Sequence, residues 1–502
     1  MKQLIKISTG FVASVCILQI CAADEASKKL ADKTEKVLES AAVKPVKTPY
    51  EKTSFCEKFG CSCTKLKPHK KPVITISGFV DAEHCFDTRQ VYGSRDGEGF
   101  YYPREKDLVA CGVDANKQGS FSMFPFNVRL LFQIEGDPVA NMKRTYAFIG
   151  TDFRGTADTT IELLRMREAY IVLDWERTQI LAGQKLHPFC SDDCNPNTVS
   201  YSKGGPMEIY TYIPIVRLTQ TLNGTYEKPA DQLFLILAGG QCPATQSKSP
   251  LTDAPGATST TVGTASAATT LVGRNSVMPI MQAQWRHYFG KENYFGVTIE
   301  GQRLRPRLKT VGTGSPVVPY AEKCSAFTEC MCAAYMKLTS ECAILRAKLA
   351  FIQDGSELGF ISGYAVEDQA SVSKRQKYTP LRSIASWFDV DFWPDQEWMP
   401  GAVIGFAKNF GAGKKLWLNA NGQPTVYTSG PVSVANPGGT GATIDTLFKF
   451  APRLWIKKGP VHLGLEFDWT RAAFGKLDEY GAVYGAVPVN NFRLQFSIFY
   501  RF

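Results

Sequence analysis

From residue 73 onward the chain alternates apolar and polar positions in runs of ten to sixteen residues. The run 73–86 puts Ile74, Ile76, Val80 and Ala82 on one face and Thr75, Ser77, Asp81 and Glu83 on the other. The next run sets Phe126, Val128, Leu130, Phe132 and Ile134 against Asn127, Arg129, Gln133 and Glu135, and Gly136-Asp137-Pro138 turns the chain. Later, Phe448, Phe450, Leu454 and Ile456 alternate with Lys449, Arg453 and Lys457. After Gly459-Pro460, Val461, Leu463, Leu465, Phe467 and Trp469 alternate with His462, Glu466 and Asp468. Successive side chains of a strand point to opposite sides, so each run predicts a β-strand with one apolar and one polar face. The clearest run comes last: Phe492, Leu494, Phe496, Ile498, Tyr500 and Phe502 against Arg493, Gln495, Ser497 and Arg501, with Phe499 the apolar exception on the polar face.

The connections form a second pattern. Short turns are expected at 136–141, 174–176, 290–293, 354–356, 394–397 and 457–460. Long connections are expected near 87–120, 187–205, 243–276, 305–340, 372–379, 411–442 and 474–489. No stretch after the first residues approaches the roughly twenty apolar residues of a membrane-spanning helix. Strands can cross hydrocarbon only when every backbone group is paired, which requires closure into a barrel. Short turns at one rim and long loops at the other then predict an all-β, transmembrane, antiparallel up-and-down barrel of about sixteen strands, an even number that leaves both ends on one rim.

The first 23 residues read as a secretory signal, with Lys2 and Lys6, an apolar stretch over 7–21, and the small residues Cys21-Ala22-Ala23. A lipoprotein signal ending at Cys21 is the rival reading, with the bulky Ile20 before it. Residues 24–72 favour helix, with Leu30, Thr34, Val37 and Ala41 near heptad spacing. They form either a solvated N-terminal periplasmic arm or a short trimerising coiled coil. The barrel occupies 73–502.

Composition adds little until it is divided. Mean hydropathy is only slightly negative, as expected when every second strand residue faces lipid and the loops are polar. The net charge is +10, but residues 24–72 hold twelve lysines against seven acids and Lys2 and Lys6 precede them, so only +3 belongs to 73–502. Any ion preference must therefore come from placement. Fourteen cysteines are present, twelve beyond residue 23. In an oxidising compartment they suggest disulfides, with Cys190 and Cys194 bracing one loop, Cys85 reaching Cys111, and Cys324, Cys330, Cys332 and Cys342 clustered around another. Cys242 could join a loop network. The spacings Cys56-x4-Cys61-x-Cys63 and Cys324-x5-Cys330-x-Cys332 are not those of a zinc site and no histidine sits beside these groups, so no metal or cofactor is expected.

The polar strand faces assign the lumen. Arg129, Glu135, Arg346, Lys348, Asp389, Lys449, Arg453, Glu466, Asp468 and Arg493 are expected to line the pore, because Arg or Lys facing lipid near the midplane costs about 2–4 kcal/mol. They either solvate a water-filled lumen or form a basic ladder opposite acidic loop residues, a transverse field that sorts solutes by charge. Polarity is ambiguous over 163–171, where Arg165 and Arg167 share a face with Leu163 and Ile171, a pattern that suits a subunit interface.

The terminal run resembles the C-terminal strand of Gram-negative outer-membrane barrels. Three segments carry a closer resemblance to the DcaP-like trimeric porins: Ile76-Ser77-Gly78-Phe79, Arg165-Met166-Arg167-Glu168-Ala169-Tyr170, and Ala182-Gly183-Gln184. The resemblance implies a sixteen-stranded barrel behind an N-terminal coiled-coil segment, a homotrimer, and a third long loop folded into the pore. Here that constriction loop would be 187–205, carrying Asp192 and Asp193. Cys56, Cys61 and Cys63 in the arm have no counterpart in that pattern.

No nucleophile elbow, metalloprotease motif or phosphate-binding loop appears, so no catalytic role is expected, and no nucleic-acid partner. The expected function is passive diffusion of small hydrophilic solutes across a bacterial outer membrane with a mild anion preference, the barrel contacting lipid and lipopolysaccharide. The alternative is a cysteine-crosslinked surface structural protein or adhesin that uses the barrel as an anchor.

Overall fold

The fold is given by a computed structural model that describes residues 72–502 apart from 95–96, 139–140, 154–162, 192, 209–210, 226, 240–275, 277, 291, 307, 312–318, 322–325, 372 and 429–439. Sixteen long strands form the barrel: β1 (Val73–Asp87), β2 (Ser120–Gly136), β3 (Arg144–Asp152), β4 (Arg165–Asp174), β5 (Thr178–Leu186), β6 (Tyr212–Gly224), β7 (Pro229–Ala238), β8 (Ile280–Tyr288), β9 (Tyr294–Leu304), β10 (Phe327–Thr339), β11 (Ala343–Gln353), β12 (Gln376–Phe392), β13 (Trp398–Ala412), β14 (Ile444–Lys458), β15 (Val461–Leu477) and β16 (Val483–Arg501). Each pairs antiparallel with its neighbours in the chain. The ring closes because β1 pairs with both β2 and β16: Phe79 lies opposite Arg129 on one side and Arg501 on the other. Backbone bonds between Gly78 and Phe502, 2.9 and 3.1 Å, carry the seam to the last residue. Closure leaves no sheet edge, the condition for strands in hydrocarbon.

The alternation read from the sequence sorts onto the two surfaces. Ile74, Ile76, Val80, Leu494, Phe496, Ile498 and Tyr500 are exposed on the outer face, whereas Asp81, Glu83, Arg493, Gln495 and Ser497 are buried inside. Phe499 also points inward, where its ring packs 5.8 Å from Phe79 and 5.4 Å from Trp455. The ambiguous segment 163–171 is resolved by a β-bulge at Arg167: Gly150 pairs with Glu168, but Thr151 already pairs with Met166. An extra residue flips strand parity. Met166 and Ile171 therefore face outward while Arg165 and Arg167 turn in to grip Asp152 at 2.6 and 2.8 Å. The charges that suggested a subunit interface belong to the lumen.

The loop pattern holds in outline, with five corrections. Short turns fall at 137–143, 175–177, 225–228, 289–293, 340–342, 393–397 and 459–460. The turn expected at 354–356 lies instead in the long connection 354–375, which carries its own strand Gly363–Gln369. The connection expected over 305–340 ends at 326, because β10 follows it. That over 474–489 shrinks to 478–482, because β15 and β16 extend beyond their apolar stretches. A further loop-side connection, 153–164, and the turn 225–228 gave no signal. Strand β10 was hidden because both its faces are apolar: Met331, Ala333 and Tyr335 point inward and are buried, while Cys330 and Cys332 are exposed outside.

The expected signal over 1–23, the arm over 24–72 and most of the Thr-rich loop 243–276 lie outside the described residues. So do Cys56, Cys61, Cys63, Cys242, Cys324 and Asp192. None of the seven described cysteines, at 85, 111, 190, 194, 330, 332 and 342, is in a disulfide. The expected Cys85–Cys111 and Cys190–Cys194 bridges are thus absent. The clustering of Cys330, Cys332 and Cys342 fails for a topological reason: two lie on the outer face of β10 and the third in the 340–342 turn at the opposite rim from the loops.

The two-faced outer wall predicts a depth-dependent penalty. Leu494→Arg should destabilise folding into lipid vesicles by about 2–4 kcal/mol, whereas Tyr484→Arg, on the loop side of the same strand, should cost roughly 0–1 kcal/mol. Equal penalties at the two sites would contradict the membrane placement of β16.

Candidate functional site

The site is built by two loops that fold into the barrel. The loop 187–211 leaves β5 and returns to β6, its base closed by the His187 N–H donating to the Thr211 carbonyl at 2.8 Å. Between those points it crosses the lumen. The Gln284 amide of β8 donates to the Pro188 carbonyl at 2.6 Å, and Cys194 donates its thiol to the Met336 carbonyl of β10 at 3.1 Å. Asn197 donates to Asp389 and Asp391 of β12 at 3.3 and 3.0 Å. The Val199 N–H donates to Glu466 of β15 at 2.8 Å.

One buried knot holds the loop's two limbs. Lys348 of β11 donates to both Glu208 oxygens, at 3.0 and 2.8 Å, and to the Phe189 carbonyl at 2.6 Å. Trp387 of β12 adds an indole N–H to Glu208 at 2.8 Å. Inward glycines make room for the loop: a Cβ on Gly464 would lie 2.7 Å from Val199, and one on Gly405 3.1 Å from Met207. Val199 shares an apolar cluster with Met399, Trp455 and Phe499, which explains the apolar exception in the last strand: Phe499 helps seat the loop.

His187 is part of the same anchorage. Burial and the nearby Lys348 push its pKa down to about 3, so the imidazole is neutral at ordinary pH and its Nδ1 accepts the Phe189 N–H at 3.2 Å.

The first long loop inserts as well, which the sequence did not signal. Its hairpin, Val91–Ser94 with Gly99–Pro103, buries Phe100 under the Arg493 guanidinium, 4.7 Å from the ring centroid. Arg493 also donates to the Gly97 carbonyl at 3.0 Å.

These insertions decide the fate of the expected pore-lining residues. All ten lie on inward strand faces, but eight are tied up in ion pairs or under loops. Arg346 and Arg453 share Asp389 and Asp391 at 2.6–2.9 Å. Lys449 pairs with Asp468 at 2.5 Å, Lys348 with Glu208 at 2.8 Å, and Arg493 with Asp87 at 2.7 Å. Glu466 is buried under the loop. Glu135 and Arg144 form a partly exposed pair near the turn rim, and Arg129 stacks on Phe79, 5.0 Å from its centroid. Among the described residues, Arg346, Arg453, Lys449 and Arg493 are neutralised by carboxylates of neighbouring strands, whereas Lys348 meets an acidic residue of the inserted loop, Glu208.

Open space lies on the other wall. A cavity of about 390 Å³ is formed by the turn-side ends of β5–β8 and by Asp193 of the inserted loop. Three guanidiniums line it, Arg177, Arg217 and Arg286, with Phe234, Gln179 and Tyr288 among the remaining groups. Arg217 donates to Gln179 at 3.1 Å, and Arg177 to the Gly224 carbonyl at 3.2 Å. Arg286 donates to Tyr335 at 3.0 Å and to Ser191 at 2.8 Å. Asp193, expected in the constriction, is here; its partner is Arg286, not the ladder. The three arginines were missed because Arg177 reads as a turn residue, Arg217 shares its inward face with the apolar Ile213 and Ile215, and Arg286 stands in a short strand.

No protein-family model matches the sequence, and no curated protein matches it significantly. Solved structures do. The outer membrane channel DcaP of Acinetobacter baumannii superposes with a TM-score of 0.56 over 86% of this chain and 98% of its own, at 13% identity. This chain has the porin fold. OmpT of Vibrio cholerae and an anion-selective porin from Comamonas acidovorans match over 86% of this chain and 98% and 100% of theirs, each at 8% identity, with TM-scores of 0.46 and 0.45.

Within this porin fold the loop anchor should be separable from the barrel. Lys348→Met alone leaves Glu208 buried and uncompensated, an imbalance worth about 3–5 kcal/mol, so it should release the loop and raise conductance. Adding Glu208→Leu should recover most of the anchorage. His187 predicts a pH dependence of known sign. Its pKa is depressed in the folded loop, so its contribution is present above the ordinary imidazole value of about 6.5 and is lost as pH falls toward 3. Open-channel current fluctuations should therefore increase between about pH 6 and pH 4, and His187→Gln should remove that component.

Proposed function

We propose that the chain is an outer-membrane diffusion channel for small hydrophilic solutes, with a preference for anions. The observation that carries the reading is the cavity at the turn-side end of the lumen, where three arginines meet one carboxylate inside a closed barrel with an apolar exterior. Such a site raises the local concentration of anions and lets them leave again, provided binding stays weak. The occupied wall over β9–β16 restricts passage to the β5–β8 side and favours a modest conductance.

Lipid and lipopolysaccharide are the partners of the outer wall in this reading, and a homotrimer is its assembly. Support for self-association comes from the small and polar outward residues of β3–β5, Thr145, Ala147, Ala169, Ala182 and Gln184, which are interspersed with the exposed Ile149, Met166 and Ile171. The packed lumen wall keeps the alternative of a cysteine-crosslinked surface protein as one outcome of the test.

Refolded protein in a planar bilayer under a salt gradient decides between them. We expect conductance in steps of three and a reversal potential on the anion side. Replacing Arg177, Arg217 and Arg286 by Gln together should abolish the anion preference. A folded but silent barrel would move the reading to a surface anchor, and a cation-selective channel would remove the anion part.

A further inference from the structure

The outer wall of β13–β16 changes character in one step toward the loops. Phe406, Phe448, Trp469 and Phe492 stand on its lipid side, one on each strand. On each of these strands the next outward residue toward the loops is polar: Lys408, Thr446, Arg471 and Asn490. Aromatic side chains collect where hydrocarbon gives way to headgroups, so this step marks the outer-leaflet boundary on this wall.

Three of the rings form a shelf. Phe448 lies 5.2 Å from Trp469, and Trp469 lies 6.3 Å from Phe492 with 23° between their planes. The Trp469 indole N–H donates to the Asn490 side-chain oxygen at 3.1 Å, which turns its polar edge toward the loops. Arg471 sits at the upper edge of the shelf, opposite Phe448 on one side and Asn490 on the other. It is exposed, and among the described residues no carboxylate lies within ion-pair distance of it. Lys408 differs, because Asp445 at the bulge of β14 pairs with it at 2.7 Å.

An uncompensated arginine on a lipid-facing wall is costly near the midplane and tolerated at the interface. In the headgroup layer the counter-ion at hand is a phosphate, which accepts two parallel N–H bonds from a guanidinium. We infer that the loop-side end of β14–β16 is a binding site for a phosphorylated glycolipid of the outer leaflet, with Arg471 and Asn490 holding one headgroup phosphate and the aromatic shelf seating an acyl chain. The inference rests on the outer-membrane placement proposed above and gives lipopolysaccharide a defined seat there. The seat lies apart from β3–β5 in the ring, so lipid and a second copy do not compete for it. Charge alone does not define it. Arg303 of β9 is also outward, exposed and without a carboxylate among the described residues, but its outward neighbours are Gly301, Thr328 and Cys330 instead of rings.

The test uses full-length protein in phospholipid nanodiscs with diphosphoryl lipid A as the probe, retained lipid being counted by native mass spectrometry. Arg471→Gln should lower lipid A retention on the order of tenfold, and Arg471→Lys should keep part of it. Arg303→Gln should change retention by less than about twofold. Dephosphorylated lipid A should bind the wild-type protein as weakly as diphosphoryl lipid A binds Arg471→Gln. Inorganic phosphate that displaces lipid A at matching concentration would show a free-phosphate site and overturn the lipid assignment. If folded Arg471→Gln retains lipid A like the wild type, or Arg303→Gln loses as much as Arg471→Gln, the seat is overturned while the membrane placement stands. A wild-type chain that does not enter nanodiscs overturns the placement and the seat together.

Discussion

Everything inside this barrel depends on the closure of its hydrogen-bond ring. A strand in hydrocarbon cannot leave its N–H and C=O groups unpaired, and the seam between β1 and β16 supplies the last set of partners. Once the ring is closed, each residue's parity is committed: from Pro488 to Tyr500 of the last strand, even positions face outward and odd positions inward. A side chain cannot change sides without an extra residue. The bulge at Arg167 is that extra residue, and it turns two arginines toward Asp152 in a strand whose simple alternation would have left them facing lipid. The inward charges are thus fixed in place, and each must find a partner or water where it stands.

The lumen answers that requirement unequally. On the β9–β16 side, inward residues such as Met331, Tyr335, Ile352, Trp387, Val403 and Leu447 form a packed apolar cluster with Phe189, Cys194 and Met207 of the inserted loop. Charges on this side are buried with their counter-charges. Breaking one such pair is costly although the pair itself adds little net stability, so these pairs fix the loop's position more than they strengthen the fold. On the β5–β8 side the loop touches the wall at fewer points, and the remaining space is lined by arginines and amides. A structural half and an accessible half share one cylinder.

That division explains how much the sequence discloses. Strands with one apolar and one polar face, such as β1, β2, β15 and β16, are legible because lipid and water impose opposite demands on alternate residues. β10 is not legible: its inner face meets another part of the protein, so Met331, Ala333 and Tyr335 face apolar neighbours inside while Thr328, Cys330 and Cys332 face outward, and the contrast disappears. Alternation placed Lys449, Arg453 and Arg493 on the inner wall, but it carries no information about what covers them. That Asp389 and Asp391 of one strand would be shared by Arg346 and Arg453 from two others is a matter of register and long-range pairing. The cysteine arithmetic failed because it used spacing along the chain, whereas the 340–342 turn puts Cys342 at the far rim from the loops.

Charge selectivity in such a channel cannot be read from totals. Residues 73–502 carry only +3, and the most conspicuous inward cations are cancelled within 3 Å by carboxylates of neighbouring strands or, for Lys348, of the inserted loop. A cancelled pair presents a passing ion with a dipole whose field falls off within a few ångströms. Elsewhere in the lumen, Arg177, Arg217 and Arg286 line one cavity together with the half-exposed Asp193. Among the described residues, the Arg286–Asp193 pair, at 3.3 and 3.4 Å with a half-exposed carboxylate, is the longest arginine–carboxylate pair in the lumen.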